Sequence, residues 1–184
     1  MYLATSDCAA TEAAALKAGG TAIVPTSPMD PWGTMAILAD PAGTVTALWQ
    51  AGTHVGSGRY NEPGAPCWAE VSSPDPAATR AFLSAIFGYG EDAMPGMDYT
   101  AETLGGEAVF GVLGGLGRVE QGHGAWMVYF AVDDADAATA KAGELGGTVL
   151  EEPQDSPFGR IGAVADPFGA HFMVIDQSRR VGAT

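Results

Sequence analysis

The sequence predicts an α+β fold in which three copies of a βαβββ unit pair into cup-shaped mixed sheets. Three observations predict it. The stretch from Trp126 to Gln177 reads strand, helix, then three strands. The first 50 residues read in the same order. Landmark residues also recur at a fixed spacing: Asp7 corresponds to Asp134 and Gly20 to Gly147, 127 apart, and Asp40 to Asp166, 126 apart. One residue is therefore inserted or deleted between the copies, and a repeat of this kind governs the reading of everything else.

In the first unit (1–50), Met1–Ser6 is a strand and Asp7 caps a helix, because its carboxylate accepts from free N–H groups of the first turn. Ala-rich 9–18 ends at Gly19-Gly20, and Thr21–Val24 is a strand. Pro25, Pro28 and Pro31 make the next segment a loop. Thr34–Ala39 and Val45–Trp49 form a hairpin across Asp40–Gly43. Residues 51–66 are rich in Gly and Pro without apolar period and read as a linker.

A two-unit domain follows over 67–177. Cys67–Ser72 is a strand with Trp68, Glu70 and Ser72 on one face. Asp75-Pro76 starts a helix with Ala78, Phe82, Ala85 and Ile86 at core-facing spacing, ended by Gly88. Tyr89–Ala93, Asp98–Thr103 and Ala108–Leu113 complete the second unit, and Gly114–Gly124 connects it to the third. The third comprises Trp126–Val132, a helix over Asp134–Leu145, and strands at Thr148–Glu152, Arg160–Ala165 and His171–Asp176. Residues 178–184 are a tail. A four-stranded sheet with a helix on one face leaves its other face apolar, so units pair. With three units, the N-terminal one is expected to pair with that of a second subunit, giving a homodimer.

The net charge of −14, with only eight Lys and Arg, argues against nucleic acid, whose phosphates require cations to replace their counterions. It disfavours anionic membranes for the same reason. No signal peptide and no run of about 18 apolar residues is present, so a cytoplasmic protein is expected. Cys8 and Cys67 have neither disulfide-scaffold nor zinc spacing. Gly105-Gly106 and Gly114–Gly117 open no helix and precede no Lys-Ser or Lys-Thr, so they are not phosphate loops.

Asp75 with its helix and Phe87-Gly88, Val132-Asp133-Asp134, Gly146-Gly147 and Asp166-Pro167-Phe168-Gly169 resemble the vicinal oxygen chelate superfamily, which includes glyoxalase I, extradiol dioxygenases and bleomycin-resistance proteins. Trp49-Gln50, His54-Val55-Gly56, Pro63-Gly64 and Trp68-Ala69-Glu70 further resemble its tandem glyoxalase-like or hydroxylase members, which carry four units; this chain lacks the first. The resemblance implies metal donors seven residues before each helix-capping Asp and seven after the Asp of each Asp-Pro turn. Those positions hold Trp68, Met127, Met173 and Ala47. An indole, two thioethers and a methyl group are poor donors to Mg, Mn, Zn or Fe, so no metal ligand and no cofactor is assigned.

Glu70 is the candidate catalytic residue, as a general base or as an acceptor for a ligand; a carboxylate held structurally is the plain alternative. Trp68, Phe110, Met127, Tyr129 and Met173 suggest an aromatic and thioether lining, or a closed core. His171 shares the phase of Met173, with a sheet-edge position favoured; His54 and His123 read as loop residues. Pro28–Trp32 and Pro153–Phe158 look like loops bordering the sheet. The leading expectation is metal-free binding of a hydrophobic, aromatic small molecule. The alternatives are a lyase, isomerase, cyclase or hydroxylase-type enzyme using Glu70, and a metal-dependent glyoxalase or dioxygenase.

Overall fold

The computed structural model describes residues 1–114 and 124–181. His123 and residues 115–117 of the glycine-rich connection lie outside the described residues, as do 182–184 of the tail. The elements are β1 (Tyr2–Ala4), α1 (Cys8–Lys17), β2 (Thr21–Met29), β3 (Gly33–Ala39), β4 (Val45–Ala51), β5 (Pro66–Ser73), α2 (Pro76–Phe87), β6 (Gly90–Ala93), β7 (Tyr99–Leu104), β8 (Glu107–Gly114), β9 (Ala125–Ala131), α3 (Ala135–Glu144), β10 (Thr148–Ser156), β11 (Gly159–Ala165) and β12 (His171–Asp176), with a 3-10 turn at Gln177–Arg179. This is α+β, with βαβββ units in two mixed sheets ordered β1-β4-β3-β2 and β10-β11-β12-β9-β5-β8-β7-β6.

Among the described residues, the three α-helices begin as the sequence dictates. Asp7, Asp75 and Asp134 each accept a hydrogen bond from the backbone N–H three residues on, at 2.9, 3.0 and 2.9 Å, satisfying one of the orphan donors of the first turn. Gly88 ends α2 at φ +72°, a conformation that carries no steric penalty without a Cβ.

The repeat extends to its irregularities. β2 breaks register between Ala22 and Val24 and between Val24 and Ser27; β10 does so between Val149 and Glu151 and between Glu151 and Gln154, each 127 residues later. The one-residue difference falls in the turn after these strands: Asp30–Trp32 in one copy, Pro157–Phe158 in the other. Pro25, Pro28 and Pro153 lie inside strands, not loops. β2 and β10 end their sheets, so a residue without an N–H needs only one paired side, and the bulges absorb the misfit. Trp32 and Phe158, at the turns, are exposed.

By contacts the chain divides into two compact units, Met1–Gly58 with Glu70–Trp126, and Arg59–Ala69 with Met127–Thr184. In the first unit, the N-terminal βαβββ copy is fastened to α2 and the start of β9 by side-chain hydrogen bonds. Thr79 Oγ1 donates to Asp40 Oδ2 at 2.6 Å, and Trp126 Nε1 donates to Thr46 Oγ1 at 3.0 Å. Phe82 of α2 packs on Gly20, where a Cβ would lie 2.6 Å from its ring. In the second unit, α3 covers the face of β9, β11 and β12 carrying Phe130, Phe172 and Gly162. Phe130 and Phe172 meet edge to face, and Thr139 fills the space over Gly162. Tyr60 donates to the Cys67 carbonyl at 2.6 Å and Gly64 N–H to Ala131 O at 2.8 Å, pinning the segment that leads into β5. No helix among the described residues is long and apolar enough to cross a membrane.

Candidate functional site

Within the first unit, strand register decides which side chains share a face. β5 and β8 pair in parallel with Glu70 beside Gly111 and Val71 beside Val112. β7 and β8 pair antiparallel with Ala101 opposite Gly111 and Tyr99 opposite Leu113. Paired residues point to the same side, so Glu70, Gly111, Leu113 and Tyr99 share one face. The other face carries Val71, Ser73, Val112 and Phe110, and it belongs to α2, because Ser73 Oγ and Thr79 Oγ1 share a hydrogen bond of 2.7 Å.

Phe110 is therefore not a companion of Glu70. It sits in the helix-side core, edge to face with Tyr89 and with Trp126 at centroid distances of 5.2 and 5.1 Å. An isolated strand pattern fixes which residues of one strand share a face; it does not fix the register to the next strand, and that register sends Phe110 the other way.

What does stand with Glu70 is Tyr99, a residue the sequence reading passed over. A Cβ built on Gly111 would lie 2.1 Å from the Tyr99 hydroxyl, so the phenol occupies the notch left by the missing side chain, one strand away from Glu70. Glu70 is 6 % exposed. A buried carboxylate beside a phenol supplies an acceptor and a donor at the same place on a sheet face, which suits an oxygen-bearing ligand or a proton transfer. The available signal was a lone glycine in the middle of β8 with a tyrosine in the next strand, the mark of a close approach in a sheet.

In the second unit the predicted lining residues come together. Tyr129, Met173 and Ala163 form one cross-strand row, and Ala131, Ile175 and Ile161 the next. With Met127, Cys67 and the half-buried Trp68 they make a single apolar cluster in which Met173 is 0 % exposed. They pack on each other as a core. His171, paired with Ala165 at the start of β12, is exposed. A shallow cavity of about 200 Å³ in this unit lies elsewhere, among Asn61, Glu62, Val132, Asp133 and Asp176.

Both cysteines are free thiols and buried. Burial raises the Cys8 thiol above its ordinary pKa, opposed by its Thr26 hydrogen bond, and burial likewise raises Cys67. Among the described residues, the buried acid lacking a full set of partners is Glu102, on the helix side of β7. Thr100 Oγ1 donates to its Oε1 at 2.9 Å, while Oε2 has no partner.

These features match known proteins along nearly the whole chain. Residues 68–175 match the glyoxalase-like domain family, so the chain belongs to that family, within the vicinal oxygen chelate fold. It is 36% identical over 178 residues to "Putative glyoxylase CFP32" of Mycobacterium bovis, covering 95% of this chain and 67% of that protein. It is 37% identical over 182 residues to the anthracycline biosynthesis protein DnrV of Streptomyces peucetius, covering 96% of this chain and 64% of that one. Thus the chain spans about two thirds of the length of these relatives. Among solved structures, the Mn(II)-bound glyoxalase from Novosphingobium aromaticivorans superposes with a TM-score of 0.64 at 15% identity, over 97% of this chain and 64% of that one. The 2,3-dioxygenase LapB from Pseudomonas sp. KL28 gives 0.63 at 16% identity, over 95% and 70%. These two share the fold.

The fold family implies a divalent ion, and the residues here do not fit one. The implied donor positions hold Trp68, Met127, Met173 and Ala47. Among the described residues no group of three or more His, Cys, Asp or Glu side chains converges on a point.

Proposed function

We propose that this protein binds a flat, largely apolar, aromatic small molecule without a metal ion, and that the Glu70 and Tyr99 face of the first unit holds a hydroxyl or carbonyl group of that ligand. The observation that carries the reading is the Tyr99 hydroxyl standing over Gly111 beside a buried Glu70. A site built to bond a ligand oxygen rejects analogues that lack it. The names of DnrV and the related DauV, at 37% and 36% identity, point to anthracyclines, which are fused-ring aromatic ketones of this class. The test is calorimetry with the metal-free protein and a hydroxylated anthraquinone. Binding that weakens about tenfold in Glu70→Gln supports the reading; no binding to any fused-ring hydroxyquinone removes it.

A second reading uses the same pair for catalysis. Glu70 takes a proton from carbon next to a ligand carbonyl, Tyr99 donates to the oxygen that becomes negative, and the enolate is then reprotonated elsewhere, expels a leaving group or closes a ring, giving a redox-neutral isomerase, lyase or cyclase reaction. The relationship to CFP32 favours keeping it. Turnover of an aromatic ketone that survives Glu70→Gln unchanged excludes this use of Glu70. A metal-dependent glyoxalase or dioxygenase is the third reading; one divalent ion per chain in protein purified without chelators would promote it above the others.

A further inference from the structure

The cavity of the second unit sits on a backbone frame that the N-terminal copy also carries. It opens at the carboxyl ends of the parallel neighbours β9 and β12, where Ala131 pairs with Ile175 and the two strands run on into Val132-Asp133 and Asp176. Val132 N–H donates to Ile175 O at 2.9 Å, and at the matching place in the N-terminal copy Thr5 N–H donates to Trp49 O at 2.9 Å. The side chains on this frame differ. Asp133 stands where the N-terminal copy has Ser6, and Asp176 where it has Gln50. The fold therefore requires neither carboxylate, yet both line the one cavity.

Asp176 is 6 % exposed. Its Oδ1 accepts from Ser178 N–H at 2.9 Å and from Ser178 Oγ at 2.6 Å, capping the short turn after β12. Its Oδ2 accepts from no donor among the described residues. Gln50, its counterpart, is satisfied by Cys8 N–H at the start of α1, at 2.9 Å. Capping does not call for the charge, since Asn and Ser cap as well. A carboxylate oxygen held this deep is costly unless a donor or a cation meets it.

The walls select the chemistry of what meets it. Asp133 and Glu62 are exposed at the rim, and Pro63, Ala131 and Val132 supply apolar wall. Among the described residues the lining contains no Lys or Arg. Arg59 pairs with Glu62 at 2.9 Å, which leaves Asp133 and Asp176 as the acceptors. A metal ion needs several oxygens aimed at one point, and these carboxylates do not converge on one. An ammonium group has three N–H donors to distribute among separate acceptors, and its carbon body suits the apolar wall. The volume of about 200 Å³ equals the liquid share of roughly six or seven waters, so it admits a body of only a few heavy atoms.

We propose that this cavity is a second binding site of the protein, and that it takes the primary ammonium group of a small aliphatic amine. The ammonium donates to Asp176 Oδ2 and to the Asp133 carboxylate, and the carbon chain lies along Pro63, Ala131 and Val132. A neutral alcohol of the same size brings no charge to the buried carboxylate. A quaternary ammonium brings the charge without an N–H to donate.

Titration of the isotope-labelled chain with n-propylammonium chloride, followed by the amide resonances of Asp133 and Ser178, tests this. The shifts are expected to saturate with a Kd on the order of 1 mM, as suits so small a probe. Neither n-propanol nor tetramethylammonium chloride should reproduce them. Asp176→Asn, which still caps the turn, should weaken binding by about tenfold or more. Glu107→Gln, exposed on β8, removes the same charge elsewhere and should change nothing. Asp133→Asn, at an exposed position, should weaken binding severalfold, and it decides the matter if the buried substitution unfolds the chain. Shifts that never saturate overturn the proposal, and so does an affinity unchanged in either variant. Saturation by magnesium chloride with none by n-propylammonium also overturns it, and makes the cavity a metal site.

Discussion

The Tyr99 hydroxyl lies directly over the α-carbon of Gly111, so closely that a methyl group there would come within 2.1 Å of it. Gly111→Ala must therefore push the phenol aside. Overpacking of this type costs roughly 1–3 kcal/mol. The variant should unfold at lower urea concentration by about that amount. It should also bind a hydroxylated anthraquinone more weakly, although no atom of Glu70 has changed. Denaturation and calorimetry on the same sample check both. Unaltered affinity would show that Tyr99 takes no part in the site.

Glu70 and Tyr99 are expected to act as a unit on the ligand. Glu70→Gln and Tyr99→Phe should each weaken binding, and the double variant should lose less than the two single losses combined. Residues in one hydrogen-bonded arrangement show coupling of roughly 0.5–3 kcal/mol. A double-mutant cycle by calorimetry measures it. Strict additivity would mean that the two side chains touch separate parts of the ligand, or that only one touches it.

Glu102 sets a pH dependence of stability. Burial is the main cause that raises its pKa above the ordinary 4.5, with the charge of Glu91 adding to the rise, while the Thr100 hydrogen bond and Arg80 oppose it. Burial, with a smaller push from the Glu102 carboxylate, raises neighbouring Tyr89 to about 12. A raised carboxyl pKa means that the folded state holds the proton more tightly than the unfolded state. Its stabilising contribution is then complete below pH 4.5 and is lost as pH rises through the folded-state value. Many other carboxylates also titrate, so the measurable quantity is the difference from Glu102→Gln. Urea midpoints of the two proteins from acid to neutral pH should show the wild type losing stability relative to the variant as pH rises. Parallel curves would indicate that Oε2 finds a partner in solution.

The fold was legible because its signals are local and repeated. Asp7, Asp75 and Asp134 cap helices where the sequence places caps, and the turns at Asp40 and Asp166 recur with their surroundings. Even the bulges of β2 and β10 obey the spacing. The site was legible only in part, because a face depends on pairing between strands that no single strand encodes. Alternation puts Glu70 on one face of β5, but its neighbours on that face depend on pairing. Phe110 was placed on the wrong face, and Tyr99 was passed over, because both turn on the register of β8 against its neighbours. The prolines of β2 misled for a related reason: their tolerance depends on β2 being a sheet edge, which is a property of the sheet order.

The bond from Thr79 to Asp40 yields the last prediction. Asp40 is buried; its Oδ2 accepts from Thr79 Oγ1 at 2.6 Å, and its Oδ1 accepts from Thr44 N–H at 2.7 Å. Thr79 Oγ1 in turn shares a hydrogen bond with Ser73 Oγ, so one hydroxyl ties α2, β5 and the β3–β4 turn together. Thr79→Val keeps the shape and removes the donor. The carboxylate is then left one bond short inside the protein, at a cost of about 1–3 kcal/mol. Asp40→Asn keeps an oxygen for one of the two donors but turns an N–H toward the other, and it should cost a similar amount. Thr79→Ser, which retains the hydroxyl, should lose only the packing of one methyl, about 1 kcal/mol. Urea unfolding of the three variants ranks them. If Thr79→Val is no worse than Thr79→Ser, the buried hydroxyl contributes through its shape alone, and the N-terminal copy is held to α2 by the packing of Phe82 on Gly20.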